Sequence, residues 1–338
     1  MRGIRIPALA TAILAALMLP VTLLSPASAA APTVDVRPLT LPIGEPPTIP
    51  YLHRPTDTSV TVVDPRTGKQ TPVEVDPAGD YLDFFELLGR SGSGFVLRIR
   101  NDVDDRIVRV QPDVPQRTLT KMTNADVARL SADGRYLLRT AALSSGGIQV
   151  QVRNTTTGAV VARRTFKAST RPDPIDVSGT RVLVGGYSTP RTMIWDWKAG
   201  TIKTIASRAA YAGTFATNRL ATYTKNPYAP DACSVVSTIT APGTTLWRGC
   251  LEAVASFSPD GARFATDAIA HESAVVVRRR SIRGTLLSTY RNPNKVWMHA
   301  WETNTRILMD SYPADGSDAW LVRCEVADCE RATKFRNG

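Results

Sequence analysis

The sequence predicts an all-β fold, a seven-bladed β-propeller of four-stranded antiparallel blades. Three observations predict it. A polar turn returns seven times, its second residue falling at Gly68, Val114, Gly158, Gly200, Gly243, Gly284 and Asp328. The intervals are 46, 44, 42, 43, 41 and 44 residues, the period of a propeller blade. A second turn built on Asp and Gly precedes the first, by 24 residues at Gly134 and by 23 at Gly261. Two hairpins per repeat make four strands, and six near-equal intervals argue against the alternative of a β-sandwich.

Along the chain, residues 1–29 read as a secretory leader. Arg2 and Arg5 give the positive start, 8–24 the apolar stretch, and Ala27-Ser28-Ala29 a small-x-small cleavage site before Ala30. Pro20 within the apolar stretch argues against a permanent membrane helix, and no later run is long and apolar enough to span a bilayer. With no cysteine before Cys233, a lipid anchor at the cleavage site is excluded. The leader has a bacterial composition, so the mature chain is expected to be exported and soluble. Residues 30–44 form an N-terminal segment available for ring closure, and 45–336 form the propeller.

The outer hairpin of each blade carries the first turn. Val62-Val63-Asp64-Pro65-Arg66-Thr67-Gly68, Val152-Arg153-Asn154-Thr155-Thr156-Thr157-Gly158 and Ile194-Trp195-Asp196-Trp197-Lys198-Ala199-Gly200 each run from a β-rich stretch into a turn. Gly serves there where φ is positive. Val322 to Asp328 is a weaker copy. The inner hairpin carries the second turn, Ser131-Ala132-Asp133-Gly134 and Ser258-Pro259-Asp260-Gly261, with weaker versions at Ser178-Gly179, Thr217-Asn218 and Thr303-Asn304. Blade 1 has candidate strands at 48–54, 59–63 and 69–75. Its innermost strand has no clear source: 34–41 is available for it, or for completing another blade.

Phe257-Ser258-Pro259-Asp260-Gly261-Ala262-Arg263-Phe264-Ala265 resembles the core motif of the TolB-like propeller repeat. Ile194-Trp195-Asp196 followed by Ala199-Gly200 resembles the end of a WD40 repeat. The resemblance covers roughly residues 45–336, and the copies lack the Gly-His pair of WD40. It implies a closed ring of antiparallel sheets around a channel, and no reaction, because such propellers serve as scaffolds, binders and enzymes alike.

Cysteine positions support export. Residues facing each other in an antiparallel hairpin have a constant positional sum. Cys233 and Cys250 sum to 483 and Cys324 and Cys329 to 653, and both centres coincide with predicted outer hairpins. The disulfides Cys233–Cys250 and Cys324–Cys329 are therefore expected among three possible connectivities. The competing reading is four reduced thiols in a cytoplasmic protein. A zinc site fits worse, because no histidine lies near the cysteines in sequence.

The formal charge is +11, and +9 without Arg2 and Arg5 of the leader. For an exported chain that surplus favours envelope polymers or lipid headgroups over nucleic acid. The densest run, Arg278-Arg279-Arg280-Ser281-Ile282-Arg283, reads either as charge guarding an outer strand or as a polyanion contact.

Catalytic signals are sparse. Three histidines, His53, His271 and His299, lie far apart in sequence, and His271-Glu272 alone reads as a loop dipeptide. Gly89-Arg90-Ser91-Gly92-Ser93-Gly94 has Ser where a nucleophile elbow needs its final Gly, and reads as the turn between the first two strands of blade 2. No phosphate-binding loop occurs. Asn101 to Asp105, the acids Asp76, Asp80, Asp83 and Glu86, and 310–318 are acidic stretches without the spacing of a calcium loop. They read as solvated turns, so no cofactor and no metal is expected.

Trp297-Met298-His299-Ala300-Trp301 opens blade 7. Strict alternation on a strand points Trp297, His299 and Trp301 one way, as core between blades or as a platform for a sugar or peptide. With His53, these are the candidate binding residues. Trp195 and Trp197 share a face likewise. The functional expectation is a non-catalytic module outside the cytoplasm, a monomer that binds a protein or cell-envelope polymer through one propeller mouth. The alternatives are a propeller hydrolase or lyase acting on a polysaccharide, with a histidine as base or metal ligand, and a basic binder of envelope polyanions.

Overall fold

The computed structural model describes residues 30–334 apart from 57–58, 76–83, 102–103, 124–125, 187–189, 270–274 and 316–318. β1 (Thr33–Asp35) precedes the first blade. Blade 1 holds β2 (Tyr51–Thr56), β3 (Ser59–Asp64) and β4 (Lys69–Val73). Blade 2 holds β5 (Phe84–Ser91), β6 (Gly94–Arg100), β7 (Asp105–Gln111) and β8 (Val114–Lys121). Blade 3 holds β9 (Ala128–Leu130), β10 (Tyr136–Ala142), β11 (Gly147–Asn154) and β12 (Val160–Lys167). Blade 4 holds β13 (Asp173–Ser178), β14 (Arg181–Gly185), β15 (Thr192–Asp196) and β16 (Thr201–Ala206). Blade 5 holds β17 (Ala209–Thr214), β18 (Arg219–Tyr223), β19 (Ser234–Ser237) and β20 (Trp247–Gly249). Blade 6 holds β21 (Glu252–Phe257), β22 (Arg263–Ala268), β23 (Val276–Ser281) and β24 (Leu286–Arg291). Blade 7 holds β25 (Val296–Trp301), β26 (Ile307–Ser311), β27 (Trp320–Glu325) and β28 (Asp328–Lys334). Neighbouring strands within each blade pair antiparallel, which gives the expected seven-bladed propeller.

Alternation in the sequence sends side chains to two interfaces, because each blade is packed on both faces. Phe95, Leu97 and Ile99 of β6 bury against Leu52, Val60 and Val62 of blade 1. Val96, between them, turns instead towards Leu137 and Ala128 of blade 3. Each such fully buried side chain contributes about 1.5–3 kcal/mol through removal from water. Outer strands have one wet face, and the residues of β12 alternate between exposed and half-buried.

Both recurrent turns have a physical cause. The N–H groups of Thr156 and Thr157 donate to the Asn154 side chain, and those of Lys198 and Ala199 to Asp196. Gly158 and Gly200 then close these turns at φ of 72° and 70°. In the inner turn, Ser131 Oγ donates to Asp133 at 2.6 Å and accepts from Tyr136 N–H. Ser258, Asp260 and Arg263 repeat this pattern. Gly134 has φ of 69°, and a side chain there would strike the Arg90 carbonyl of the neighbouring blade.

The ring closes through its N-terminal segment. β1 runs parallel to β24 as a fifth strand on the outside of blade 6, with Thr33 beside Thr289 and Asp35 beside Arg291. Val36 is fully buried, its N–H on the Arg291 carbonyl. The chain then bridges β28, where Arg331 N–H donates to Pro42 O and Gly44 N–H donates to Arg331 O. The stretch 34–41 thus completes blade 6 rather than blade 1.

Blade 1 shows three strands among the described residues. Gly68 turns between β3 and β4, whereas Gly158 and Gly200 turn between the third and fourth strands of their blades. By that phase β2, β3 and β4 are second, third and fourth strands. Packing agrees: Tyr51 of β2 meets Leu308 of β26, the second strand of blade 7. First strands of consecutive blades lie in contact from β5 through β9, β13, β17 and β21 to β25. Among the described residues no strand pairs with β2 on the side between β25 and β5.

Candidate functional site

A recess of about 650 Å³ opens at that gap. Leu52 and Arg54 of β2 form its back, and Phe85, Glu86 and Leu87 of β5 form one wall. Met298, His299 and Ala300 of β25 form the other, with Asp310 and Leu321 reached behind them. The floor is thus apolar, with a few convergent ionisable groups, the usual constitution of a binding cleft.

His299 Nδ1 lies 3.1 Å from an Asp310 carboxylate oxygen, and each side chain keeps about a third of its surface open, 34% and 30%. Burial opposes the charged imidazole, but Asp310's charge and hydrogen bond outweigh it and hold His299 above its ordinary value. On the opposite wall, burial pushes the Glu86 carboxyl up, against the pull of Arg129 and Arg98. Further round the channel, burial raises Asp173 to about 6, again opposed by Arg129. Other charges are paired: Arg90 holds Asp64 at 2.9 and 2.7 Å, and Arg98 holds Asp105 at 2.9 and 2.6 Å.

The candidate binding residues fare differently. His299 reaches the recess, and His53 sits on β2 between two of its lining residues, half-buried and making contacts of its own. Trp301 does not share its face, whereas Trp297 is the cross-strand partner of Asp310, the residue that His299 contacts. Met298 pairs with Met309 and Ala300 with Leu308, so His299 is the extra residue of a β-bulge that shifts the alternation by one. Trp301 is 8% exposed and packs between blades with Val296, its Nε1–H donating to Ser256 O at 3.4 Å. Trp297 has Lys295 Nζ 5.3 Å from its ring centre. Trp195 is core, with Trp197 packed against it. His271 lies outside the described residues.

The basic run is divided: Arg283 is exposed, and the other three arginines belong to an inner strand rather than to an edge. Those three lie on β23, a third strand, where Arg278 and Arg280 reach Glu252 of β21. Arg279 is 3% exposed and donates to Thr305 O. Among the acidic stretches, Asp104 and Asp105 are held by Arg106 and Arg98, and Asp310 belongs to a strand. Residues 76–83, 102–103 and 316–318 lie outside the described residues, among which no cluster of His, Cys, Asp or Glu could hold a metal. Both expected disulfides are formed, with Cys324 directly opposite Cys329. No described helix is long and apolar enough to cross a membrane.

No protein-family model and no curated protein sequence matches the chain. The resemblances are to solved structures. The β-propeller domain of the Trilobed protease from Pyrococcus furiosus, described as having an open velcro topology, matches at TM-score 0.56 and 11% identity. That match covers 86% of this chain and 100% of that one. Pyrococcus horikoshii acylaminoacyl peptidase matches at TM-score 0.54 and 13% identity, over 85% of this chain and 52% of that one. The Swd1 β-propeller of Myceliophteria thermophila matches at TM-score 0.50 and 12% identity, over 74% and 87%. The likeness is one of fold. It spans peptidase and non-peptidase propellers alike, and this chain covers only about half of the acylaminoacyl peptidase.

Proposed function

We propose that the protein is a non-catalytic interaction module outside the cytoplasm, which takes a macromolecular or cell-envelope partner at the channel mouth beside blade 1. The observation that carries this reading is the recess. Three blades give it apolar walls, and among its charged groups His299 is already engaged by Asp310 and Arg90 by Asp64. Such a surface binds by shape and burial more than by charge. The leader and the two disulfides support export. Of the densest basic run, Arg278 and Arg280 are engaged by Glu252, which weakens the polyanion alternative.

One observation favours the enzyme reading. A carboxylate–imidazole pair open to solvent is two thirds of a hydrolytic triad. A hydrolase or lyase acting on a polysaccharide would use His299 as its base.

The test is affinity capture on the oxidised, leader-free protein from its host's envelope fraction, comparing wild type with Ala300→Trp, which fills the recess from β25. A partner retained intact by wild type and lost by the variant is the expected result. Equal retention by both contradicts a partner at this mouth. A retained polysaccharide that wild type shortens and His299→Gln does not would establish the enzyme instead.

A further inference from the structure

We propose that the flank of blade 3 that faces blade 2 binds a linear anionic polysaccharide of the cell envelope. This surface lies on outer strands, apart from the recess, and does not depend on the mouth reading above. Blade 3 is strongly basic: residues 123–170 hold seven Lys and Arg against two Asp. Both acids are engaged elsewhere in the blade. Asp126 is buried against Arg139 at 3.0 Å, and Asp133 caps the inner turn through Arg135 N–H.

Strand alternation decides where the remaining cations stand. Val150, Val152, Ala162 and Phe166 face blade 4 and pack there against Val182 and Trp195. The alternate set faces blade 2, where Leu137 packs at the inner end against Val96 and Ile107. Further out that set is polar: Gln151 lies opposite Arg163, Gln149 opposite Thr165, and Lys167 follows along β12. Arg163, Thr165 and Lys167 are exposed, whereas Ala162, Arg164 and Phe166, which alternate with them, are half-buried. Blade 2 thus leaves this flank uncovered at the rim.

Unlike Arg278 and Arg280, which Glu252 engages, these cations are placed without carboxylates. Arg153 donates to the carbonyls of Leu119 and Gly158 and to the Gln151 side chain. Arg117, across on β8, donates to the carbonyls of Thr156 and Thr157. Arg163 and Lys167 make no side-chain hydrogen bond or ion pair among the described residues. Burial and the nearby Arg139 charge both pull Arg153 below its ordinary value, the mark of a positive field left uncompensated. Such a strip draws anions. Arg163 and Lys167 stand about 13 Å apart along an extended strand, so a chain of repeated anionic groups can meet both and a single small anion cannot. Between them Thr165 and the amides of Gln149 and Gln151 offer partners for sugar hydroxyls. No aromatic side chain lies on this face of β11 or β12, and stacking on aromatics is what single-stranded nucleic acid uses.

Anisotropy of fluorescein-labelled oligogalacturonate on the oxidised, leader-free protein tests the proposal. Wild type should bind it, and not labelled neutral dextran, with an affinity that falls steeply as salt is raised. Arg163→Gln with Lys167→Gln should weaken binding at least about tenfold and flatten the salt dependence. Thr165→Glu keeps every cation but sets a carboxylate between two of them, and should weaken binding likewise. Lys203→Gln with Arg283→Gln removes the same charge from exposed positions on blades 4 and 6, and should leave binding within about twofold of wild type. Ala300→Trp should bind as wild type does. No binding by wild type at low salt, equal loss from the two double variants, or loss in Ala300→Trp overturns the assignment to this flank. Tighter binding of oligodeoxythymidylate or of phosphatidylglycerol vesicles than of the glycan, at equal anionic charge, overturns the ligand class.

Discussion

Asp173 shows how far one carboxyl can depart from its neighbours. It begins β13, with Oδ1 buried and without a hydrogen-bond partner among the described residues. Burial raises it from 3.8 to about 6, so between those values the folded state holds a proton that the unfolded state has lost. Stability should therefore fall as pH rises from about 4 to about 6. Asp173→Asn should remove that slope and stabilise the protein at pH 7 by about 1–3 kcal/mol. Urea melts at several pH values check this, and parallel curves for the two proteins would contradict it. Neither Asp173 nor the partnership of His299 with Asp310 was legible in the sequence. Asp310 lies 11 positions from His299 and looks like part of an acidic loop until the hairpin register is known. Strict alternation grouped His299 with Trp297 and Trp301, and the bulge sets Trp301 apart.

Elements explain that miss. Leu88, Ile175, Tyr211, Ala255 and His299 each stand at a register shift in a first strand. A bulge adds twist and bends the strand, which suits the crowded axis of a propeller. Any residue type can stand there, so bulges leave no trace in composition. The turns did leave one, because Gly68, Gly158 and Gly200 need positive φ and Asp64, Asn154 and Asp196 cap turn N–H groups. Hairpin symmetry about such turns is also what made both disulfides readable. Cys233–Cys250 closes a sequence separation of 17 and Cys324–Cys329 one of 5. By loop-closure entropy the first should contribute about 3 kcal/mol and the second about 2. Denaturant unfolding of the paired Cys→Ser variants should show the larger loss for Cys233 and Cys250; the reverse order would mean that native-state packing dominates.

At the scale of the whole molecule, blade number followed from the period, whereas closure did not. The period is a local signal repeated along the chain. Closure joins Thr33 to Thr289 and Pro42 to Arg331, and nothing in either short segment announces a parallel partner hundreds of residues away. Among the described residues no strand lies inside β2, and the recess sits there between β5 and the His299 wall. The proposed function depends on that recess.

Affinity capture from the envelope fraction tests it most directly. Wild type should retain a partner intact, and Ala300→Trp, which fills the recess, should lose it. Equal retention by both proteins would contradict a partner at this mouth.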